Sequence, residues 1–327
     1  MRLKGFILAL NLENTLVIGI SATALFNLSQ ADKLFKKEYE KNPDKAIEIY
    51  RSYMLENENI ALSEGIGFDF IKALLDLNRF QKEGEAPLVE VVVMSRNSPD
   101  TGVRVLNTIR ELSLEITRSA FTAGESSADY LEAFDVDLFL TTNEEDAQKV
   151  IDNKVCASAV LSTPPEYKCD IPQGQLRIAF DGDAVLFDES SELVYKEQGM
   201  KAFHENEHKS QNIPMNEGPF ASFLKKLAKL QNRLPMKMEF SPIRIAIVTA
   251  RNSPSDLRVI KTLRYWGVYV DEAFFLGGIE KSKILQSFKA HIFFDDQDVH
   301  LKTSSLVVPS GKVLYPSDSK LHQHLKK

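Results

Sequence analysis

Val91-Val92-Val93-Met94-Ser95-Arg96-Asn97-Ser98-Pro99 and Ala246-Ile247-Val248-Thr249-Ala250-Arg251-Asn252-Ser253-Pro254 are one pattern written twice, 155 residues apart. Each copy is a short apolar run that ends in a polar turn, the signature of a buried strand. Each is followed by a helical pattern: Arg104-Val105-Leu106-Asn107-Thr108-Ile109-Arg110 matches Arg258-Val259-Ile260-Lys261-Thr262-Leu263-Arg264 at an offset of 154. The match extends outward. Phe121-Thr122-Ala123-Gly124 meets Phe275-Leu276-Gly277-Gly278, and Asp137–Thr142 meets His291–Asp296. Upstream, Glu64-Gly65 meets Glu217-Gly218, and Ala24-Leu25-Phe26 meets Val185-Leu186-Phe187. A near-constant offset over five blocks indicates an internal duplication.

Each half reads as a buried strand (Leu16–Ile20, then Leu176–Phe180), an insert, a second strand, a helix, a short strand, a helix and a third strand. Strands alternating with helical patterns predict an α/β fold with mainly parallel sheets, in two tandem Rossmann-like halves. The expected division is 1–161, a connector at 162–175 around Pro164-Pro165 and Pro172, and 176–327.

In open α/β sheets, sites form at the carboxyl ends of strands. Four strand ends in the second half carry chemistry. Asp181 and Asp183 follow one, Thr249 and Arg251 another, Lys281 follows Gly277-Gly278, and Asp295-Asp296 ends the last. Clustered carboxylates tolerate one another with a cation between them, and Mg²⁺ takes oxygen ligands. One carboxylate can attack phosphorus while a second moves the proton. Lys281 and Thr249 can face the phosphoryl oxygens.

Comparing the halves gives a control without homologues. At constant offset Asp181 faces Ile20, Asp183 faces Ala22, Thr249 faces Met94, Lys281 faces Ser127, and Asp295-Asp296 faces Thr141-Thr142. The scaffold residues Arg96, Asn97 and Pro99 persist. The first half is therefore expected to be catalytically inactive. Arg251 and Asn252 have twins in Arg96 and Asn97, which leaves Arg251 open between phosphate contact and scaffold.

This ordered set resembles the four motifs of the haloacid dehalogenase (HAD)-like phosphatase superfamily. It is closer still to the cytosolic 5′-nucleotidase I family, on Ala179-Phe180-Asp181-Gly182-Asp183-Ala184-Val185-Leu186-Phe187, Val248-Thr249-Ala250-Arg251, Phe275-Leu276-Gly277-Gly278 and Ile292-Phe293-Phe294-Asp295-Asp296-Gln297. Leu16–Ser21 and Glu217-Gly218-Pro219 also fit, so the likeness spans nearly the whole chain. The resemblance implies Mg²⁺-dependent hydrolysis of nucleoside 5′-monophosphates. Asp181 would be nucleophile and Asp183 acid/base; Thr249, Ala250, Arg251 and Lys281 would contact phosphate. Asp181, Asp183, Asp295 and Asp296 would form the metal site, with Asp296 favoured as direct ligand and Asp295 as partner of Lys281. It also implies a cap insert at about 188–240 that selects substrate, and a homo-oligomer of a size the sequence does not fix. Two other functions stay open: a phosphatase of another small ester such as a sugar phosphate, and a nucleotide-sensing scaffold using the first copy.

The bulk composition is compatible with a small-molecule enzyme. The chain has 327 residues, 43% hydrophobic and 26% charged, with formal net charge −6. That lacks the basic field of a nucleic-acid coat protein. Two cysteines, Cys156 and Cys169, make no CxxC pair and fit reduced thiols in a cytoplasmic protein. No run reaches the ~20 apolar residues of a membrane span. Ala22-Thr23-Ala24 has the small-x-small look of a signal cleavage site, but the repeat reads residues 16–26 as core strand. His204, His208 and Phe203 lie in the expected cap, where solvated or packing roles are the simpler reading. The basic end, with Lys320, Lys326 and Lys327, reads as a frayed tail.

Overall fold

The computed structural model describes residues 12–162, 174–235 and 241–325. Most of the expected connector, together with Cys169, Lys326 and Lys327, lies outside them.

Ten strands form one sheet in the order β3-β2-β1-β4-β5-β10-β9-β6-β7-β8. The strands are β1 (Leu16–Ser21), β2 (Val89–Ser95), β3 (Arg118–Phe121), β4 (Leu138–Thr141), β5 (Ala157–Leu161), β6 (Leu176–Phe180), β7 (Ile243–Thr249), β8 (Glu272–Phe275), β9 (Ile292–Asp295) and β10 (Ser310–Lys312). Every pairing is parallel except β5 with β10, where Gly311 faces Leu161 and Lys312 faces Val160. The order within β1–β5 is repeated in mirror sequence by β6–β10. Because the seam is antiparallel, the carboxyl ends of the two wings face opposite ends of the sheet. A site at the ends of β6, β7 and β9 is therefore remote from its counterpart at β1, β2 and β4.

The central strands are apolar because helices cover both faces. Ile18, Ile20, Val91, Val93, Ile178, Phe180, Ile245 and Ile247 are all fully buried and belong to one core cluster. Phe180 anchors it, with the rings of Phe223 and Phe294 at 6.2 and 5.6 Å. Phe223 comes from helix α8 (Ala221–Gln231). So of the region expected as a cap, α8 packs on the sheet, while α7 (Ser190–Lys209), kinked at Gly199, reaches over the strand ends.

Three local readings change. The first strand stops at Ser21, and Ala22–Leu25 is a short helix, α1, with Ala22 and Ala24 buried. β5 and β10 close the seam but were not read from sequence; β10 has only three residues, Ser-Gly-Lys, without an apolar run. The helix expected after β3 is a pair of 3₁₀ turns, Ser127–Tyr130 and Glu132–Phe134.

Strand pairing also moves the register between the halves by one residue. Ile20 pairs with Val93 and Phe180 with Ile247, so Asp181 stands at the place of Ser21, not Ile20. Likewise Ser95 pairs with Phe121 and Thr249 with Phe275, so the twin of Thr249 is Ser95, not Met94. Each of these hydroxyls accepts the N–H two residues on, from Asn97 and Arg251, both at 3.2 Å. A hydroxyl therefore persists in the first half as part of the turn.

The glycines of the matched Glu-Gly pairs hold both halves together in the same way. Bridges Phe26–Glu64 and Phe187–Glu217 bring the insert back to the strand end. A Cβ at Gly65 would lie 2.6 Å from the Ala24 carbonyl oxygen, and one at Gly218 would lie 2.3 Å from that of Phe187. Both neighbours are backbone and cannot swing away. Gly218→Ala is expected to cost about 3 kcal/mol by overpacking, read as a lower urea midpoint at unchanged slope.

Candidate active site

The turn after β6 sets the site. Asp181 N–H donates to the Phe294 carbonyl at 2.8 Å, which ties the end of β6 to β9. In the first half the chain then closes an α-type turn, Phe26 N–H to Ala22 carbonyl at 2.9 Å. In the second half Phe187 N–H reaches back to Gly182 at 3.0 Å, a wider π turn of five residues. The one extra residue is accommodated there, with Ala184 at φ 57°. Insertions of this kind often mark functional sites. Here the Asp183 side chain reaches Arg251, just past the end of β7.

Asp181 and Asp295 converge on Lys281, the first residue of helix α10 (Lys281–Phe288). Lys281 Nζ lies 2.6 Å from Asp295 Oδ2 and 2.9 Å from Asp181 Oδ2. All three are buried, Lys281 being 3% exposed. Asp181 Oδ1 accepts the Gly182 N–H at 2.7 Å, and Asp295 Oδ1 accepts that of Gln297 at 2.8 Å. In the first half Thr141 Oγ1 does the latter job for Asn143 at 3.0 Å, so the strand-end acceptor is scaffold and the charge is the addition.

Burial pushes the Asp181 carboxyl up to about 7, against the pull of Lys281 and helped by the charge on Asp295. Burial also pushes Asp295 up, but Lys281 and His300 outweigh it and hold it below the usual carboxylate range. For Lys281, burial favours the neutral amine, and Asp181 with Asp295 reverse this and raise its pKa. Asp296 is raised well above its ordinary value by burial, then by the charges of Asp295 and Glu192.

Asp296 points elsewhere than its neighbour. Its Oδ2 accepts a short hydrogen bond from the Tyr315 hydroxyl, and its Oδ1 is buried without a hydrogen-bond partner. Glu192, on α7, takes Lys196 and Gln297 on Oε1 at 2.9 and 3.1 Å. Its Oε2 is likewise buried and unpartnered. Two buried carboxylates, Asp181 and Asp295, thus share one ammonium, and a third, Asp296, is buried beside them without a cationic partner among the described residues. Asp181, Asp295 and His300 bring ligand atoms within 4.8 Å of one another. Oxygen-rich donors with a surplus of negative charge and orphaned carboxylate oxygens suit a hard divalent cation.

Asp183 is held apart. Arg251 grips it by two parallel bonds, Nε to Oδ2 at 2.7 Å and Nη2 to Oδ1 at 2.5 Å. The Arg251 Nη1 binds Glu207 Oε2 at 2.6 Å. Glu207, fully buried on α7, also takes Arg258 at 2.8 Å and the Ser191 hydroxyl at 2.8 Å. Burial disfavours the Arg251 charge, but Asp183 and Glu207 together raise its pKa. Arg251 Nε, Nη1 and Nη2 are thus engaged by Asp183 and Glu207, while the residue also lines the cleft that opens above. In the shifted register Asn97, not Arg96, stands at the place of Arg251, and the arginine matched to it by sequence, Arg96, pairs with Asp146 at 2.6 Å.

A cleft of about 340 Å³ opens above these groups. Asp181, Asp183, Thr249 and Ala250 line its base, Gly277-Gly278 and Asn252 one side, and Tyr195, Met200 and Phe203 of α7 the other. His204 Nε2 lies 3.2 Å from Asn252 Oδ1, whereas His208 is exposed. Gly277 and Gly278 have φ of 57° and 92°, and Ala123 and Gly124 match them at 50° and 100°, so the pair is a shared turn.

Glu192, Glu207, Gln297, His300 and Tyr315 were not singled out from sequence. Glu207 sits in Glu205-Asn206-Glu207-His208, which reads as a solvated helix face, and its counterparts are far along the chain. His300 lies five residues past Asp295, on helix α11 (Asp298–Ser304), and that spacing to a strand-end acid was the one usable signal.

A family model described as 5′-nucleotidase matches residues 8–320. Human cytosolic 5′-nucleotidase 1B is 36% identical over 297 residues, covering 89% of this chain and 47% of that protein. The chain thus spans about half the length of this curated relative. The match runs through both wings and takes in every strand end that lines the cleft, so the chain belongs to the 5′-nucleotidase family.

Proposed function

We propose that this chain hydrolyses nucleoside 5′-monophosphates to nucleoside and orthophosphate, with Asp181 as nucleophile and Mg²⁺ as cofactor. The observation that carries the reading is the convergence of Asp181 and Asp295 on buried Lys281 at the base of an aromatic-walled cleft. A carboxylate oxygen of Asp181 attacks phosphorus, forming an aspartyl-phosphate as the bond from phosphorus to the ester oxygen breaks. Asp183 gives its proton to the leaving oxygen. It then takes a proton from water, whose oxygen attacks the phosphoryl group and frees Asp181 with release of orthophosphate. Lys281 holds positive charge beside the reacting oxygens, and Thr249 presents a hydroxyl. Asp181, Asp295 and Asp296 would hold the Mg²⁺, which when bound offsets the charge of carboxylates and phosphate. The Asp183 side chain is engaged by Arg251, and the approach of substrate is expected to loosen that grip.

Tyr195 and Phe203 support a nucleotide over a sugar phosphate, since stacking an aromatic ring on a base contributes about 1–3 kcal/mol. We further propose that the first half serves as an inactive scaffold and that the protein works in the cytosol, as the name of its relative suggests. With Mg²⁺ present, nucleoside monophosphates should turn over at least about tenfold faster than ribose 5-phosphate, the ratio that ~1.4 kcal/mol of stacking sets. Equal rates would defeat the nucleotide assignment. EDTA should abolish release of phosphate and lower Tm, because the surplus carboxylates lose their counter-ion.

A further inference from the structure

Arg258, in helix α9 (Asp256–Tyr265), donates its Nε to the Ile213 carbonyl at 3.0 Å and its Nη1 to Glu207 at 2.8 Å. Arg104 holds the matching place in helix α5 (Val103–Glu111), with its Nε on the Ile60 carbonyl at 2.9 Å. The surroundings match as well. Leu62 N–H donates to Thr108 Oγ1, and Met215 N–H to Thr262 Oγ1, both at 3.1 Å. Arg104 is only 7% exposed.

The acid is missing from this socket. Helix α3 (Pro43–Glu56) and α7 end at matching places, Glu56 and Lys209. Counting back from either end or from Ile60 and Ile213 puts Met54 where Glu207 stands. Met54 is buried and carries no charge. Among the described residues no carboxylate pairs with Arg104, and its Nη1 and Nη2 have no hydrogen-bond acceptor. The guanidinium carbon lies 5.7 Å from the Tyr53 ring centre.

A pocket of about 120 Å³ opens at that point, lined by Arg104, Asn27, Ser29, Gln30, Tyr53 and Ser63. The chain enters helix α2 (Ser29–Tyr39) there; Asn27 Oδ1 accepts the Ser29 N–H at 3.0 Å, Leu28 at the N-cap offers no further side-chain acceptor, and Asp32 stands in the first turn. First-turn N–H groups and the positive helix end favour an anion. A buried guanidinium without a counter-charge is costly, and in the second half Glu207 removes that cost.

We infer that this first-half pocket binds a small oxyanion of phosphate size, either free orthophosphate or the phosphoryl end of a phosphomonoester. The planar fork of Arg104 takes two of its oxygens, with the hydroxyls of Ser29 and Ser63 and the start of α2 around it. Sites for drug-sized ligands measure about 300–1,000 Å³, so everything beyond the phosphoryl group of a larger ligand lies in solvent.

The test uses the full chain in EDTA, which silences Mg²⁺-dependent binding in the cleft. Orthophosphate is compared with chloride at equal ionic strength by thermal unfolding. At ten times Kd the unmodified protein should gain about 2–4 °C in Tm. Met54→Glu supplies the internal carboxylate that the second half has and should abolish the gain; neutral Met54→Gln should keep it. Arg104→Met should lose it too. Glycerol phosphate separates the sources: a response to orthophosphate alone assigns the site to the free anion, and equal responses assign it to a phosphoryl end. A full gain retained in Met54→Glu and Arg104→Met, or no gain in the unmodified protein up to high millimolar phosphate, would overturn the inference.

Discussion

Asp181→Asn should lose about 10⁴-fold or more of its turnover while keeping its fold, because the substitution removes the nucleophile and nothing else in the cluster can replace it. Asp295 shares Lys281 with it, but Asp295 is fully buried and, unlike Asp181, does not line the cleft. The asparagine is nearly the same size and keeps an oxygen for the Gly182 N–H. It also leaves Lys281 paired with Asp295 and removes the repulsion between the two carboxylates that share it, so the metal-free variant should be as stable as the parent or slightly more so. Opposite signs in turnover and stability separate a chemical role from a structural one. Phosphate release from a nucleoside monophosphate and a urea curve in EDTA on the same preparation measure both. A variant that keeps most of its turnover would rule out the aspartyl-phosphate route. Asp183→Asn should fall less, by about 10²–10⁴-fold, since it removes proton transfer but leaves the attacking group.

The duplicated motif made the fold legible because both copies had to preserve the same strand ends. Asp137 and His291 show how far that goes: unlike residues at matched positions accept the N–H of matched strand residues, Val17 and Arg177, at 2.8 and 3.0 Å. The carboxylates at 181, 295 and 296 stood out for the converse reason, since the sequence comparison set them against Ile20, Thr141 and Thr142, none of which carries a charge. The register around Asp181 was not legible. One residue separates the copies between the end of the strand and the matched phenylalanines, and apolar spacing alone cannot say where it sits. The hydrogen bond from Phe187 to Gly182 places it in the π turn. With that shift Thr249 gained a hydroxyl twin, so the internal comparison supports Asp181, Lys281 and Asp295 as additions more strongly than it supports Thr249. The clamps of Asp183 and Asp296 were hidden for another reason. Glu207 comes from the insert and Tyr315 from beyond the last strand, neither of which carries a repeated pattern.

Glu207→Met should be the most destabilising single change in the site, at about 3–5 kcal/mol, because it takes the carboxylate from Arg258 and one of two from buried Arg251. Glu207 is fully buried and is shared by Arg251 and Arg258, which are 2% and 11% exposed at the side chain. Methionine fills similar space, and it is the residue the first half uses at the matching position. There no arginine stands at the place of Arg251, and the nearby Arg96 pairs with Asp146. In the second half His300 occupies the place of Asp146, so Arg251 has no such alternative. With Glu207 gone, Arg251 keeps Asp183 as its one carboxylate partner. The tighter pair holds the Asp183 side chain on Arg251 and away from the leaving oxygen it has to reach. Turnover measured well below Tm should then fall about tenfold at little-changed KM, a loss in the chemical step rather than in binding. Urea unfolding of Glu207→Met beside Glu207→Gln gives the stability arm, with the glutamine variant retaining part of the hydrogen bonding and losing less. A destabilised protein with the parent's turnover number would make the clamp purely structural. A drop in both would show that the helix covering the cleft acts on the proton donor through Arg251, linking the insert to the chemistry beneath it.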